Sequence, residues 1–162
     1  MSSLLKKASS FISSRRGSIG NQLGDEPLST EAKSLLVGID IHKPILTGRV
    51  FKQSQDGKQF NKRFFVLYPK VLLYFQNERT YQNSLKRGKI ESGCKVFKLK
   101  GLHVSLVKPL PPGAEFCFRI HLPDAFNPKN EVLLAFHNRR AKRKWMMHLQ
   151  AQNPNLVLKR NS

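Results

Sequence analysis

The stretch GKQFNKRFFVLY, residues 57–68, sets two adjacent cations, Lys62 and Arg63, against a run of five large apolar or aromatic residues. Such a run reads as a strand, and Asp56-Gly57 just ahead of it reads as a hairpin turn. Alternate side chains of a strand share a face, so Arg63 is in phase with Phe65 and Leu67 while Lys62 points the other way. Across the turn, TGRVFKQ at 47–53 supplies the partner strand, with Lys52 in phase with Val50. If Val50, Phe65 and Leu67 face a core, Lys52 and Arg63 point the same way at strand ends flanking one hairpin. A buried, unpaired cation is very costly, whereas one at a wet mouth keeps its hydration until an anion replaces it.

Outward from this hairpin the same texture continues. Residues 71–77, 89–94, 101–107, 115–122 and 131–137 read as further strands, with 78–88 as a longer polar loop and Pro-rich loops at 108–113 and 123–130. The period then switches. Ala141, Trp145, His148, Leu149 and Gln152 line one helical face, Asn138 is placed to cap its start, and Asn153-Pro154 stops it. The expected fold is mainly β: a seven-stranded antiparallel barrel or sandwich capped by a C-terminal α-helix. Trp145, with Met146 and Leu149, reads as core closing the end opposite the mouth.

The chain has 162 residues, which matches one domain with tails, and 29 Lys and Arg against 10 Asp and Glu leave a net charge of +19. Like charges repel within a fold, so this excess argues for a polyanionic partner: an anionic membrane surface, an acidic protein or nucleic acid. It is densest per residue from 40 to 110, where fifteen cations face four anions. Lys95, Lys98 and Lys100 add a basic rim read mainly as solvent-facing, and Arg139 to Lys144 place five cations in the first two turns of the last helix, against its dipole. Cys94 and Cys117 stand without CxxC spacing, and the five histidines are scattered singly, so neither a metal site nor a disulfide framework is indicated. No apolar run approaches the length of about 18 residues that a membrane span needs. The start has too broken an apolar stretch for a signal peptide, and Ser2 rules out N-myristoylation.

Residues 1–44 are expected to form a basic, largely disordered tail with short helices, 45–152 the folded domain, and 153–162 a C-terminal tail. Leu4, Leu5, Ala8, Phe11 and Ile12 fall at helical spacing with cations between them, the pattern of an interfacial helix. Arg15-Arg16-Gly17-Ser18 suits basophilic kinases, and a phosphate there would act as an electrostatic switch. Ser29 is placed to cap a short helix beginning at Thr30.

The order of seven strands and one Trp-bearing helix resembles the pleckstrin homology (PH) family over about residues 45–152. TGRVFK at 47–52 is similar to the family's first strand, FNKRFFVL at 60–67 to its second, LLYF at 72–75 to its third, KRGKI at 86–90 to the entry of its fourth, and Trp145 to its helix tryptophan. The resemblance implies a phosphate-binding set of Lys52, Arg63, Tyr74 and Arg87, with Lys58, Lys62 and Lys89 supporting it from the rim. Position 61 departs from the family pattern: Asn61 stands where a basic residue is expected.

The resemblance therefore implies a non-enzymatic adaptor, cytoplasmic and peripheral on membranes, that binds phosphoinositides or other anionic headgroups and needs no cofactor. The alternative is a PH-like protein-interaction module with weak or no lipid binding, for an acidic protein partner. Nucleic-acid binding is disfavoured, since no aromatic-rich recognition motif is visible. No Gly-rich phosphate loop or nucleophile elbow points to an enzyme.

Overall fold

The structure, a computed structural model, describes residues 23–24, 26–54, 56–107, 110–111, 113–121 and 131–153, together with the backbone of 158–159. The β1–β2 hairpin forms where the Asp-Gly signal placed it. Strand β1 (Leu46–Gln53) pairs antiparallel with β2 (Phe60–Tyr68), and β3 (Val71–Phe75) and β4 (Cys94–Lys98) extend the same half-sheet. The second half is built from β5 (His103–Ser105), β6 (Cys117–His121) and β7 (Glu131–Ala135). The halves join where Phe51 and Lys52 of β1 pair with Ala135 and Leu134 of β7. Full sheet order is β4-β3-β2-β1-β7-β6-β5-β8, the last being a two-residue strand, Leu158–Lys159, lying parallel to β5 in the segment read as a tail.

Inward-facing residues of both halves form one cluster: Val50, Phe65, Leu67, Leu72, Tyr74, Val104, Phe118, Ile120 and Leu134, with Trp145 and Leu149 from the C-terminal helix. That helix, Arg139–Gln152, starts as the sequence indicates, with the Asn138 side chain accepting from the Ala141 N–H at 2.8 Å. Its far end is tied down by Asn153, whose Nδ2 donates to the Leu99 carbonyl at 2.7 Å.

Strands β2 and β3 are buried on both faces, which is why their sequences read as continuous apolar runs rather than as alternating ones. Phe64, Val66, Tyr68, Val71, Leu73 and Phe75 form a second cluster on the outer face with Leu28 and Tyr81. The cover differs from the expectation of a polar loop at 78–88. Glu78–Arg87 is a helix, capped by Asn77, which accepts from the Thr80 N–H at 2.9 Å, and ended by Gly88 at φ 76°. Only Tyr81 and Ser84 of this helix are buried, so a sequence this polar carries little periodic signal. The Tyr81 hydroxyl lies 3.0 Å from that of Tyr68, which donates to the Ile41 carbonyl at 2.5 Å. The helix also displaces the next strand. The sequence places β4 over 89–94, whereas the strand begins only at Cys94.

The described part of the N-terminal segment packs on this half-sheet. The Leu28 N–H donates to the Glu91 carbonyl at 2.8 Å, and Pro27 bridges to Ser92. The helix Thr30–Leu35 starts at Ser29, whose side chain accepts from the Ala32 N–H.

Candidate functional site

Register fixes which side chains share the barrel interior. Arg63 lies opposite Val50, Asn61 opposite Lys52, Phe65 opposite both Gly48 and Tyr74, and Tyr74 opposite Lys95. Gly48, Val50 and Lys52 therefore form one inward file, Leu67, Phe65, Arg63 and Asn61 a second, Leu72 and Tyr74 a third, and Phe97 and Lys95 a fourth. Trp145 closes one end of this interior. A Cβ on Gly48 would stand 3.5 Å from the indole, and the Trp145 ring meets the edge of Phe65 at a centroid distance of 6.3 Å. Lys52 lies four residues further along β1, at the end next to the hairpin.

At the hairpin end the polar groups converge. The Lys52 Nζ lies 5.6 Å from the Tyr74 ring centroid, and Tyr74 stacks on Phe65 at 5.2 Å. Tyr74, Asn61 and Arg63 are buried and Lys52 is half-buried. The Arg63 guanidinium donates to the Lys62 carbonyl at 3.1 Å and the Lys52 ammonium to the Gln53 carbonyl at 3.4 Å. The Asn61 Oδ1 is buried and has no hydrogen-bond partner.

These groups disfavour one another's charge. Burial lowers the Lys52 pKa from its ordinary value, and the nearby charges of Arg63 and Lys95 lower it further. Burial also lowers that of Arg63. The Tyr74 hydroxyl is pushed up to about 12 by burial, with Arg63 pulling the other way, so it is neutral at physiological pH and available as a donor. Among the described residues, the carboxylates that form ion pairs do so elsewhere: Glu78 with Arg49, Glu91 with Lys89, and Glu131 with Arg119 and His121. None of them pairs with Lys52 or Lys95. A half-buried ammonium and a buried guanidinium beside a neutral phenol and a buried amide are groups able to hydrogen-bond an oxyanion.

A family model described as PH domain matches residues 44–153. The chain belongs to the PH domain family. Solved PH domains share the fold at low identity. The human KIAA0053 PH domain superposes with a TM-score of 0.52 at 20% identity, over 74% of this chain and 92% of that one. The Slm1 PH domain in complex with phosphoserine gives 0.53 at 16% identity, over 68% and 96%. The same Slm1 domain in complex with inositol 4-phosphate gives 0.52 at 15% identity, over 68% and 97%. A search of curated protein sequences finds no significant match.

In this PH domain the other residues named from the sequence separate into two groups. Lys58 is exposed in the β1–β2 turn, where its N–H donates to the Asp56 Oδ1 at 2.9 Å, on the hairpin that carries Lys52. Lys62 is exposed and opposite Phe51, on the outward face. Arg87 and Lys89 do not stand at the entry of β4. Arg87 ends the helix that covers the outer face, and the Lys89 ammonium pairs with Glu91 at 3.1 Å. Lys95 is solvent-exposed, as the sequence reading has it, and the register adds that it lies opposite Tyr74. The signal for that register was its phase with Phe97, two residues on, once β4 starts at Cys94.

One other cluster in the PH domain has the look of catalytic chemistry. The Ser105 Oγ lies 2.8 Å from the His121 Nε2, and the His121 Nδ1 lies 3.2 Å from Glu131. Ser105 is 2% exposed, so its hydroxyl is out of a substrate's reach, and the chain is a polar tie between β5, β6 and β7.

Proposed function

We propose that this PH domain is a non-enzymatic adaptor module that binds phosphoinositide or other anionic membrane headgroups at the hairpin end of its barrel, peripheral on cytoplasmic membranes. The supporting observation is the convergence of Lys52, Arg63 and Lys95 on Tyr74, with burial and mutual repulsion depressing the charge on Lys52. A phosphate monoester there relieves that repulsion and accepts from the ammonium, guanidinium and phenol groups. The Slm1 PH domain, similar in fold, has been captured with inositol 4-phosphate, which fits the same chemistry. Lys58 and Lys62, exposed on the hairpin and the adjoining strand, supply long-range attraction. Among the described residues no helix is long and apolar enough to cross a membrane.

Magnitudes shape the reading. Each Lys or Arg near an anionic leaflet contributes about 1 kcal/mol, so Lys52, Lys58, Arg63 and Lys95 together give a dissociation constant of about 1 mM. Lasting residence needs a second contact, for which the basic segment 1–24 is the candidate, acting through effective concentration.

A protein partner is the second reading. It is favoured by Asn61, which brings no charge to this end of the barrel, and by Arg139, Arg140, Arg143 and Lys144, all exposed on the last helix and facing no acid in its first turn. Co-sedimentation with vesicles with and without phosphoinositide separates the two readings. Phosphoinositide-dependent binding that Lys52→Ala and Arg63→Ala each weaken supports the membrane reading. Equal binding by all three proteins overturns the site, and an acidic partner retained at high salt by those variants favours the second reading.

A further inference from the structure

Asn61 is only 4% exposed, and it stands in the inward file of β2 that also carries Arg63 and Phe65. Its Oδ1 is itself buried and has no hydrogen-bond partner among the described residues. Folded proteins satisfy nearly all such acceptors, so a bare one at a polar end of a barrel points to a donor that arrives from outside. The neighbouring donors are turned elsewhere. Lys52, directly opposite on the ladder, gives its ammonium to the Gln53 carbonyl at 3.4 Å and lies over the Tyr74 ring. The Arg63 guanidinium, next along the same file, donates to the Lys62 carbonyl at 3.1 Å.

We propose that the Asn61 Oδ1 accepts from a ligand hydroxyl, so that the site takes a phosphate monoester of a ring polyol with a free hydroxyl beside the phosphate. The inference rests on the anion-binding reading of this end of the barrel for the phosphate, and adds the group next to it. The donors and the acceptor are segregated in a way that suits this ligand. Ammonium, guanidinium and phenol offer hydrogens to phosphate oxygens, which only accept at neutral pH. An amide oxygen offers none. A second phosphate at its position would set acceptor against acceptor, whereas a hydroxyl donates to it.

Distance along the ladder supports the pairing. Directly opposite residues have Cβ atoms about 4.5–5.5 Å apart, so a phosphate held by the Lys52 ammonium carries its adjacent ring substituent toward Asn61. The Lys52 side chain also governs the approach, because it stands opposite Asn61 and its hydrogen bond to the neighbouring carbonyl is long. A phosphate that draws the ammonium outward clears the way to the amide. The fold already bears the unpaired acceptor, so a hydroxyl that reaches it forms a hydrogen bond without stripping water from the protein side. Asn61 is then a specificity-determining residue, reading a hydroxyl where a basic residue would read a phosphate.

The test titrates the full chain with soluble inositol 4-phosphate, the ligand captured by the Slm1 PH domain, and with analogues lacking the hydroxyl on one side of the phosphate or the other. Amide NMR reads the affinities, and vesicles carrying the corresponding lipid form a second arm. Loss of one of the two flanking hydroxyls is expected to weaken binding about tenfold, the usual effect of one hydrogen bond to a buried acceptor. Asn61→Leu, apolar and of similar volume, should bind that analogue and the parent alike. Asn61→Asp keeps the acceptor and should preserve the ratio, and the wild-type series stands by itself if Asn61→Leu fails to fold. Asn61→Lys should shift preference about tenfold toward a bisphosphate carrying its second phosphate on that side. Analogues that all bind as the parent does overturn the proposal and leave the membrane reading in place, as does a discrimination that survives Asn61→Leu. Discrimination among soluble ligands without vesicle binding upholds the role of Asn61, makes a free polyol phosphate the ligand and sinks the membrane reading. A wild-type chain indifferent to soluble ligand and vesicles alike overturns both.

Discussion

Lys52 and Arg63 share the inner face of the β1–β2 ladder one pair out of step, with Val50 opposite Arg63 and Asn61 opposite Lys52. Diagonal neighbours on an antiparallel pair stand about 7–8 Å apart, within reach of long side chains. Two cations so placed repel across a partly desolvated space, and Lys95 adds a third charge from β4.

On the proposed reading, this arrangement favours anion binding at the expense of stability. Lys52→Met keeps the aliphatic stem over Tyr74 and removes the charge, and is expected to raise the melting temperature by about 2–4 °C, a gain of about 1 kcal/mol. The same substitution should weaken binding to phosphoinositide vesicles about tenfold, the loss of about 1.4 kcal/mol of contact. Thermal unfolding and co-sedimentation on one preparation check both signs. A variant that is less stable and binds as well as wild type contradicts the role given to Lys52.

The depressed Lys52 pKa predicts a pH dependence of definite sign. The fold disfavours the ammonium, so the penalty is fully present below the folded-state pKa. Stability then rises as pH climbs through that value toward the ordinary lysine range. Lysine side-chain NMR should find Lys52 titrating below the other lysines, and Lys95→Gln should move it upward. Saturating inositol phosphate should raise it as well, because the bound anion favours the charged form. A Lys52 titration unmoved by inositol phosphate would place the ligand elsewhere.

Asn61 sits in the same file as Arg63 with its Oδ1 unpartnered. Asn61→Lys adds a cation where the family pattern places one, and is expected to tighten inositol phosphate binding about tenfold. The ligand-free variant should melt lower than wild type, since a further buried charge joins Lys52 and Arg63. Calorimetric titration and unfolding with and without ligand check the pair of effects.

At the plugged end, Gly48 leaves room for Trp145. A Cβ there would make ordinary contact with the indole at 3.5 Å, so Gly48→Ala should change stability by less than about 1 kcal/mol. Gly48→Leu should cost about 1–3 kcal/mol by overpacking, and Trp145→Ala about 3–5 kcal/mol by emptying the core, both read from denaturant midpoints.

Strand phase was legible without coordinates. A period of two assigns Lys52, Arg63, Val50, Phe65 and Leu67 to one face whatever the long-range packing, the Asp-Gly turn sets their register, and Asn138 with the 3.6-residue period marks the last helix. Arg87 and Lys89 lie away from the entry of β4 for one reason. Residues 78–87 bury only Tyr81 and Ser84, so their helix is decided by the outer face of β2 and β3 that needs covering, and the start of β4 follows from it. Likewise, nothing in the order of residues announces that Leu23 meets Gln76, across 53 positions of sequence. Local periodicity is a property of the chain itself, so the sequence determined the two files of cations. Which surfaces close on one another depends on contacts between distant segments, and only the tertiary structure decided that Lys95 lies opposite Tyr74 and that Leu23 bonds Gln76.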